Sequence, residues 1–141
     1  MKIYPDAEFD GDFPDDMVEE DGEITVYPGK NVADAIVEIL GRSGHRCEEP
    51  FYGGYKWVSR LKFLDRSMVF IVHTFEPREF FLFLEDRGGF RWLPSAKRKF
   101  LEFVRLVYRE LGADPRFQNF RWFSTKDRDH DHPMASPVED D

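Results

Sequence analysis

The chain is poor in the residues that carry the most recognisable chemistries. It holds a single cysteine, Cys47, so no internal disulfide can form, and no Cys/His spacing resembles a zinc site. Its longest apolar runs, Met68 to Val72 and Phe80 to Leu84, fall far short of the roughly 18–20 residues that cross a bilayer. The opening Met1-Lys2-Ile3-Tyr4-Pro5-Asp6 turns acidic at once, so a secretory leader is not expected. No G-x-x-x-x-G-K-[ST], G-x-G-x-x-G or G-x-S-x-G pattern occurs, which argues against phosphate loops, dinucleotide sites and nucleophile elbows. The expectation is no cofactor, no metal, no membrane partner and a cytoplasmic location.

Aromatic residues are plentiful instead. Fifteen Phe, five Tyr and three Trp in 141 residues give enough bulk for a core although 34% of the chain is charged. The net charge of −8 is unevenly laid out: residues 1–49 carry four cations against fourteen carboxylates, residues 50–126 fifteen against eight, and residues 127–141 one against six. A cationic middle thus lies between two acidic ends. Between Asp6 and Glu23 stand ten carboxylates and no Lys or Arg, with Phe9, Phe13, Met17 and Val18 scattered among them. Like-charge runs repel themselves and stay extended until a basic surface neutralises them. Residues 1–22 are therefore expected as an acidic arm, 23–126 as a single α+β domain, and 127–141 as a disordered acidic tail.

Periodicity supplies the elements of the domain. Glu23 to Tyr27 alternates as a short strand closed by Pro28-Gly29, and Asn31 is placed to cap a helix over about residues 32–42. Arg46 to Glu49 reads as a further short strand, and Tyr52-Gly53-Gly54-Tyr55 as a turn. From there Tyr55, Trp57, Ser59, Leu61 and Phe63 share one face while Lys56, Val58, Arg60 and Lys62 share the other. Met68 to Phe75 and Phe80 to Glu85 continue a meander through a turn at Glu76-Pro77-Arg78-Glu79. Ser95 is placed to cap a helix whose stripe runs Phe100, Leu101, Val104, Val107, Tyr108, Leu111 to Gly112, and Gln118 to Ser124 returns as a strand. Short turns between strands imply an antiparallel meander sheet of about five to six strands with both helices on one face.

Candidate chemistry is sparse. Cys47 sits beside Arg46 and near His45 but has nothing to form an oxyanion hole, so it reads as a structural thiol. His73, on the face of Val69 and Ile71, becomes a general base only if Glu76, Glu85 or Asp86 approaches it. His130 and His132 lie among Asp127, Asp129 and Asp131 in the expected tail, where a metal would be held only adventitiously. A basic row (Lys56, Arg60, Lys62) and the helical stripe of Arg98, Lys99, Arg105 and Arg109, interrupted by Glu102, suit a nucleic-acid backbone. Tyr52, Tyr55, Trp57, Phe90, Arg91 and Trp92 gather in sequence near the two Gly-Gly turns, and Tyr, Trp and Arg are the types that dominate interfaces.

The leading expectation is a non-enzymatic protein-binding module, an immunity- or antitoxin-like neutralising protein or an escort for a basic partner. Asp10, Asp12, Asp15, Asp16, Glu19 and Glu20 would steer and dock, and Tyr52, Tyr55, Trp57, Arg91 and Trp92 would anchor. One alternative is a single-stranded nucleic-acid binder whose acidic ends autoinhibit it; a lesser one is a small hydrolase built on His73. A free edge of the meander would invite a homodimer.

Overall fold

Alternation decides the fate of the first acidic stretch. Asp6-Ala7-Glu8-Phe9-Asp10-Gly11 interleaves carboxylates with small or aromatic residues. As a strand it turns three acids to one side and Ala7, Phe9 and Gly11 to the other. The computed structural model describes residues 2–76 and 79–140. Its strands are β1 (Lys2–Ile3), β2 (Asp6–Gly11), β3 (Val18–Glu20), β4 (Glu23–Val26), β5 (Phe51–Gly53), β6 (Lys56–Phe63), β7 (Arg66–Glu76), β8 (Glu79–Asp86), β9 (Phe117–Phe123) and β10 (Val138–Glu139). Its helices are α1 (Lys30–Arg42) and α2 (Pro94–Gly112). Six strands form one antiparallel sheet in the order β5-β6-β7-β8-β2-β9, and the fold is α+β.

Residues 6–11 are therefore an interior strand of the sheet, where the charge count alone puts them in an arm outside the domain. The reason is that the pleat separates the two kinds of residue. Ala7 and Phe9 are fully buried opposite Leu82 and Phe80, while Asp6, Glu8 and Asp10 stay on the other face. The expected disordered tail is also folded back. Met134 and Trp122 exchange two backbone hydrogen bonds of 2.8 and 2.9 Å, Tyr4 donates to the Pro137 carbonyl, and β10 pairs with β1. Partly buried Met134 and Val138 give that segment apolar surface to dock.

The meander expected from residue 55 onward is present as β6, β7 and β8, and both helices cover one face of the sheet. The expected turn at Glu76-Pro77-Arg78-Glu79 includes residues outside those described. α1 lies over β6 and β7 with Val32, Ile36 and Leu40 inward; α2 lies over β8 and β9 with Val104, Val107 and Leu111 inward. Glu23–Val26 is a strand as expected, but it pairs with β3 in a separate two-stranded ribbon. The expected strand at 46–49 reduces to a Cys47–Leu61 bridge beside β6, followed by the short β5. A second isolated bridge joins Met134 to Trp122 on the outer side of the edge strand β9.

Helix starts differ from the sequence expectation in an informative way. α1 is capped by Gly29, at φ 99°, not by Asn31. A distant carboxylate does the capping: Asp16 accepts hydrogen bonds from the Gly29 N–H (3.0 Å) and the Asn31 N–H (2.8 Å). Asn31 in turn donates from its side chain to the Pro14 carbonyl at 2.7 Å. A Cβ on Gly29 would stand 2.8 Å from Thr74 Oγ1, so both the backbone angle and the space demand glycine. α2 begins with Leu93 at the cap and Pro94 in the first turn, leaving Ser95 without the expected role. Asp16→Ala is expected to cost about 1 kcal/mol of stability, the usual cost of losing a helix cap. Urea denaturation measures it, and a midpoint equal to the parent's would contradict the capping role.

Candidate functional site

The acidic residues fall into two structural groups. The first is the ribbon of β3 and β4. Asp21 (φ 53°) and Gly22 (φ 81°) occupy its turn, the backbone pair that suits a two-residue hairpin. Glu19, Glu20, Asp21 and Glu23 are all exposed, and none pairs with a cation among the described residues. Glu20 stands directly opposite Glu23 in the register, so like charges face each other across the ribbon. Met17, Val18 and Ile24 are exposed beside them. Two carboxylates secure the root: Asp15 accepts from the Met17 N–H at 3.0 Å, and Asp16 holds the start of α1. Among the described residues β3 and β4 pair only with each other.

The second group lies on the sheet face that the helices do not cover. Glu8 accepts from or pairs with His130 at 2.7 Å and lies 3.6 Å from the Arg121 guanidinium. The His130 ring stacks on Phe123 with centroids 4.2 Å apart and planes 9° from parallel. Asp10 accepts from Asn119 at 2.9 Å and approaches Arg121, so its charge is already engaged within the chain. Asp12 is exposed at the end of β2, its N–H donating to the Arg116 carbonyl. Of the six expected docking acids, Glu19 and Glu20 lie on the ribbon with no cation partner among the described residues, Asp15 and Asp16 serve its root, Asp10 serves the sheet, and Asp12 is exposed just past β2.

Asp6, Glu8, Phe81, Phe83, Asp127 and His130 surround an open hollow of about 400 Å³ between this sheet face and the folded-back chain end. Burial pushes the Asp6 carboxyl up to about 6; the nearby His130 works against this and Glu85 adds to it. Asp6 and Glu8, expected in the acidic arm, thus line this hollow instead, a placement that the period-two alternation of residues 6–11 signals. Asp127 caps the turn beneath by accepting from the Asp131 and His132 N–H groups. Among the described residues no set of three or more His, Cys, Asp or Glu side chains is placed to hold a metal ion.

Of the expected aromatic anchor only Tyr52 and Trp57 come together, edge to face with ring centroids 5.4 Å apart. Trp57 is core, its indole N–H directed at the Tyr27 and Pro28 carbonyls. Tyr52 stacks on Tyr27 at 3.9 Å, and Tyr55, 79% exposed, sits in the β5–β6 turn. Arg91 and Trp92 follow β8, beyond the opposite end of β6, which at eight residues spans about 26 Å at ~3.3 Å per residue. His73 faces Phe81 across the strands, whereas Glu85 lies opposite Val69, four residues along, and Asp86 is held on the other face by Arg66. The Glu76 side chain lies outside the described residues. Burial and Lys56 lower the His73 pKa, and burial raises the Cys47 thiol to about 11, keeping it protonated. On α2, Arg105 pairs with Glu102 and approaches Asp140, and Arg109 pairs with Glu110, so the expected basic stripe is partly neutralised. Arg60 lies over the Phe51 ring at 5.2 Å on the sheet's outer face.

Comparison with protein-family models, with curated proteins and with solved structures finds no match to this chain. Among the described residues no helix is long and apolar enough to cross a membrane.

The Asp6 carboxyl takes up a proton on folding, because its folded value of about 6 exceeds its ordinary 3.8. Its favourable contribution is complete below the ordinary value and is lost as pH rises through about 6. Asp6→Asn is expected to melt higher than the parent above neutral pH, with the difference closing as the solution is acidified. Thermal melts across pH check this; a variant less stable at alkaline pH would contradict it.

Proposed function

We propose that this chain is a non-enzymatic docking protein that captures a cationic protein surface through the β3–β4 ribbon. The carrying observation is the ribbon itself: four exposed carboxylates that meet no cation among the described residues, two of them face to face, beside exposed Met17, Val18 and Ile24. A basic partner would relieve the repulsion between Glu20 and Glu23 and cover the apolar side chains in the same step. A small acidic neutralising or escort protein would use its surface in this way. The fixed root supports the reading, because a docking element already held in place loses less conformational freedom on binding.

Steering by these carboxylates makes the contact dependent on ionic strength, since exposed charges are screened over about 10 Å at 0.1 M salt. The test replaces Glu19, Glu20 and Glu23 together by Lys and follows binding of a short fluorescein-labelled Arg/Leu peptide by anisotropy. At low salt the variant is expected to bind about tenfold more weakly, a difference of ~1.4 kcal/mol. At high salt the two proteins converge. Equal affinity at low salt would overturn the assignment of the ribbon.

A further inference from the structure

A second exposed surface lies at the other end of the sheet. From Arg87 to Lys99 the chain carries five cations and no carboxylate, together with Phe90, Trp92 and Leu93. Phe90 and Trp92 are each 70% exposed, their rings nearly perpendicular with centroids 6.2 Å apart. The loop is firmly built. Arg66 forks onto Asp86 at 2.8 and 3.1 Å and donates to the Gly89 carbonyl at 2.7 Å, while Gly88 N–H and Arg91 also bond Asp86. Phe90 is held at φ 56°, in the left-handed region that bulky residues rarely occupy. Leu64, half-exposed at φ 48°, belongs to the β6–β7 turn at the same end. Rigid support beneath exposed aromatic rings, with a strained backbone, is what an interaction surface requires.

Charge selects the occupant. Arg91, Lys97, Arg98 and Lys99 have no ion pair among the described residues, and α2 has no acidic side chain in its first turn to offset its positive end. Four uncompensated cations beside Phe90, Trp92 and Leu93 match four uncompensated carboxylates beside Met17, Val18 and Ile24. The ribbon is rooted at the far end of the sheet, where Asp16 bonds Gly29 and Gly29 abuts Thr74. From Arg66 to Thr74, β7 runs about 26 Å at ~3.3 Å per residue. We propose that the Arg87–Lys99 surface docks the β3–β4 ribbon of a second copy of this chain, a head-to-tail contact between two different surfaces. The inference rests on the ribbon being a docking element and names one cationic surface that it fits; a foreign basic partner competes for the same ribbon.

Sedimentation velocity on the full chain at low ionic strength tests it, using a ribbon variant (Glu19→Lys, Glu20→Lys, Glu23→Lys) and a surface variant (Phe90→Ala, Trp92→Ala). The parent is expected to associate reversibly with rising concentration and to dissociate in high salt. Each variant alone stays monomeric. An equimolar mixture of the two forms a dimer and nothing larger, because one intact ribbon meets one intact surface. That complementation also shows that both variants are folded. A parent that stays monomeric at every concentration, or one whose association neither variant changes, overturns the proposal. So does quenching of Trp92 fluorescence by a single-stranded oligothymidylate, which would assign the surface to nucleic acid. If self-association fails while the ribbon variant still loses the Arg/Leu peptide, the self-docking inference falls and the docking role of the ribbon stands.

Discussion

The insertion of β2 between β8 and β9 is the constraint on which the remaining architecture depends. One strand from the start of the chain completes the core with Ala7 and Phe9 and joins β9 to the meander. It also fixes Gly11 against Phe80 and Phe13, so that the following residues reach α1 and Asp16 can cap it. The ribbon after Asp16 is thereby held at one end of the sheet. A segment that its charge alone would leave loose becomes a fixed display of carboxylates, because the preceding six residues satisfy a pleated, half-buried strand.

Carboxylates in this protein are sorted by what neutralises them. Asp86 is buried against Arg66, the Arg116 guanidinium lowers the Asp114 pKa by hydrogen bonding, and Glu8 and Asp10 meet His130, Asn119 and Arg121. Those contacts tie loops, strand and chain end together. The ribbon acids have no such compensation among the described residues. A like-charge pair such as Glu20 and Glu23 costs roughly 0.2–1 kcal/mol, which a fold stable by about 5–15 kcal/mol tolerates. The same small cost is recovered when a cation arrives. The loop after β8 mirrors this arrangement with the opposite sign, its exposed cations standing beside exposed aromatic rings.

Much of the fold is legible in the residues. The outward and inward faces of β6 follow its alternation, and the stripe of α2 ends at Gly112 as its spacing requires. Less was legible where local signals compete with distant ones. Asn31 has the chemistry of a helix cap, yet Asp16, fifteen residues away, bonds the Asn31 N–H instead. Asp6 to Gly11 carries both a charge run and a strand period, and tertiary pairing with Phe80 to Phe83 decides for the strand. His130 reads as idle in a polar tail because its partners, Glu8 and Phe123, are brought to it only by the folded sheet. The aromatic cluster splits into a Tyr52–Trp57 contact and a separate Phe90–Trp92 contact for a related reason: nearness in sequence to glycine turns says nothing about which end of a strand each turn occupies.

Nuclear magnetic resonance mapping of the isotopically labelled chain during titration with the Arg/Leu peptide tests the central claim most directly. The account predicts amide shift changes concentrated in residues 17–26, with β2 and the His130 segment unmoved. Changes centred instead on Asp6, Glu8 and His130, with residues 17–26 silent, would contradict it.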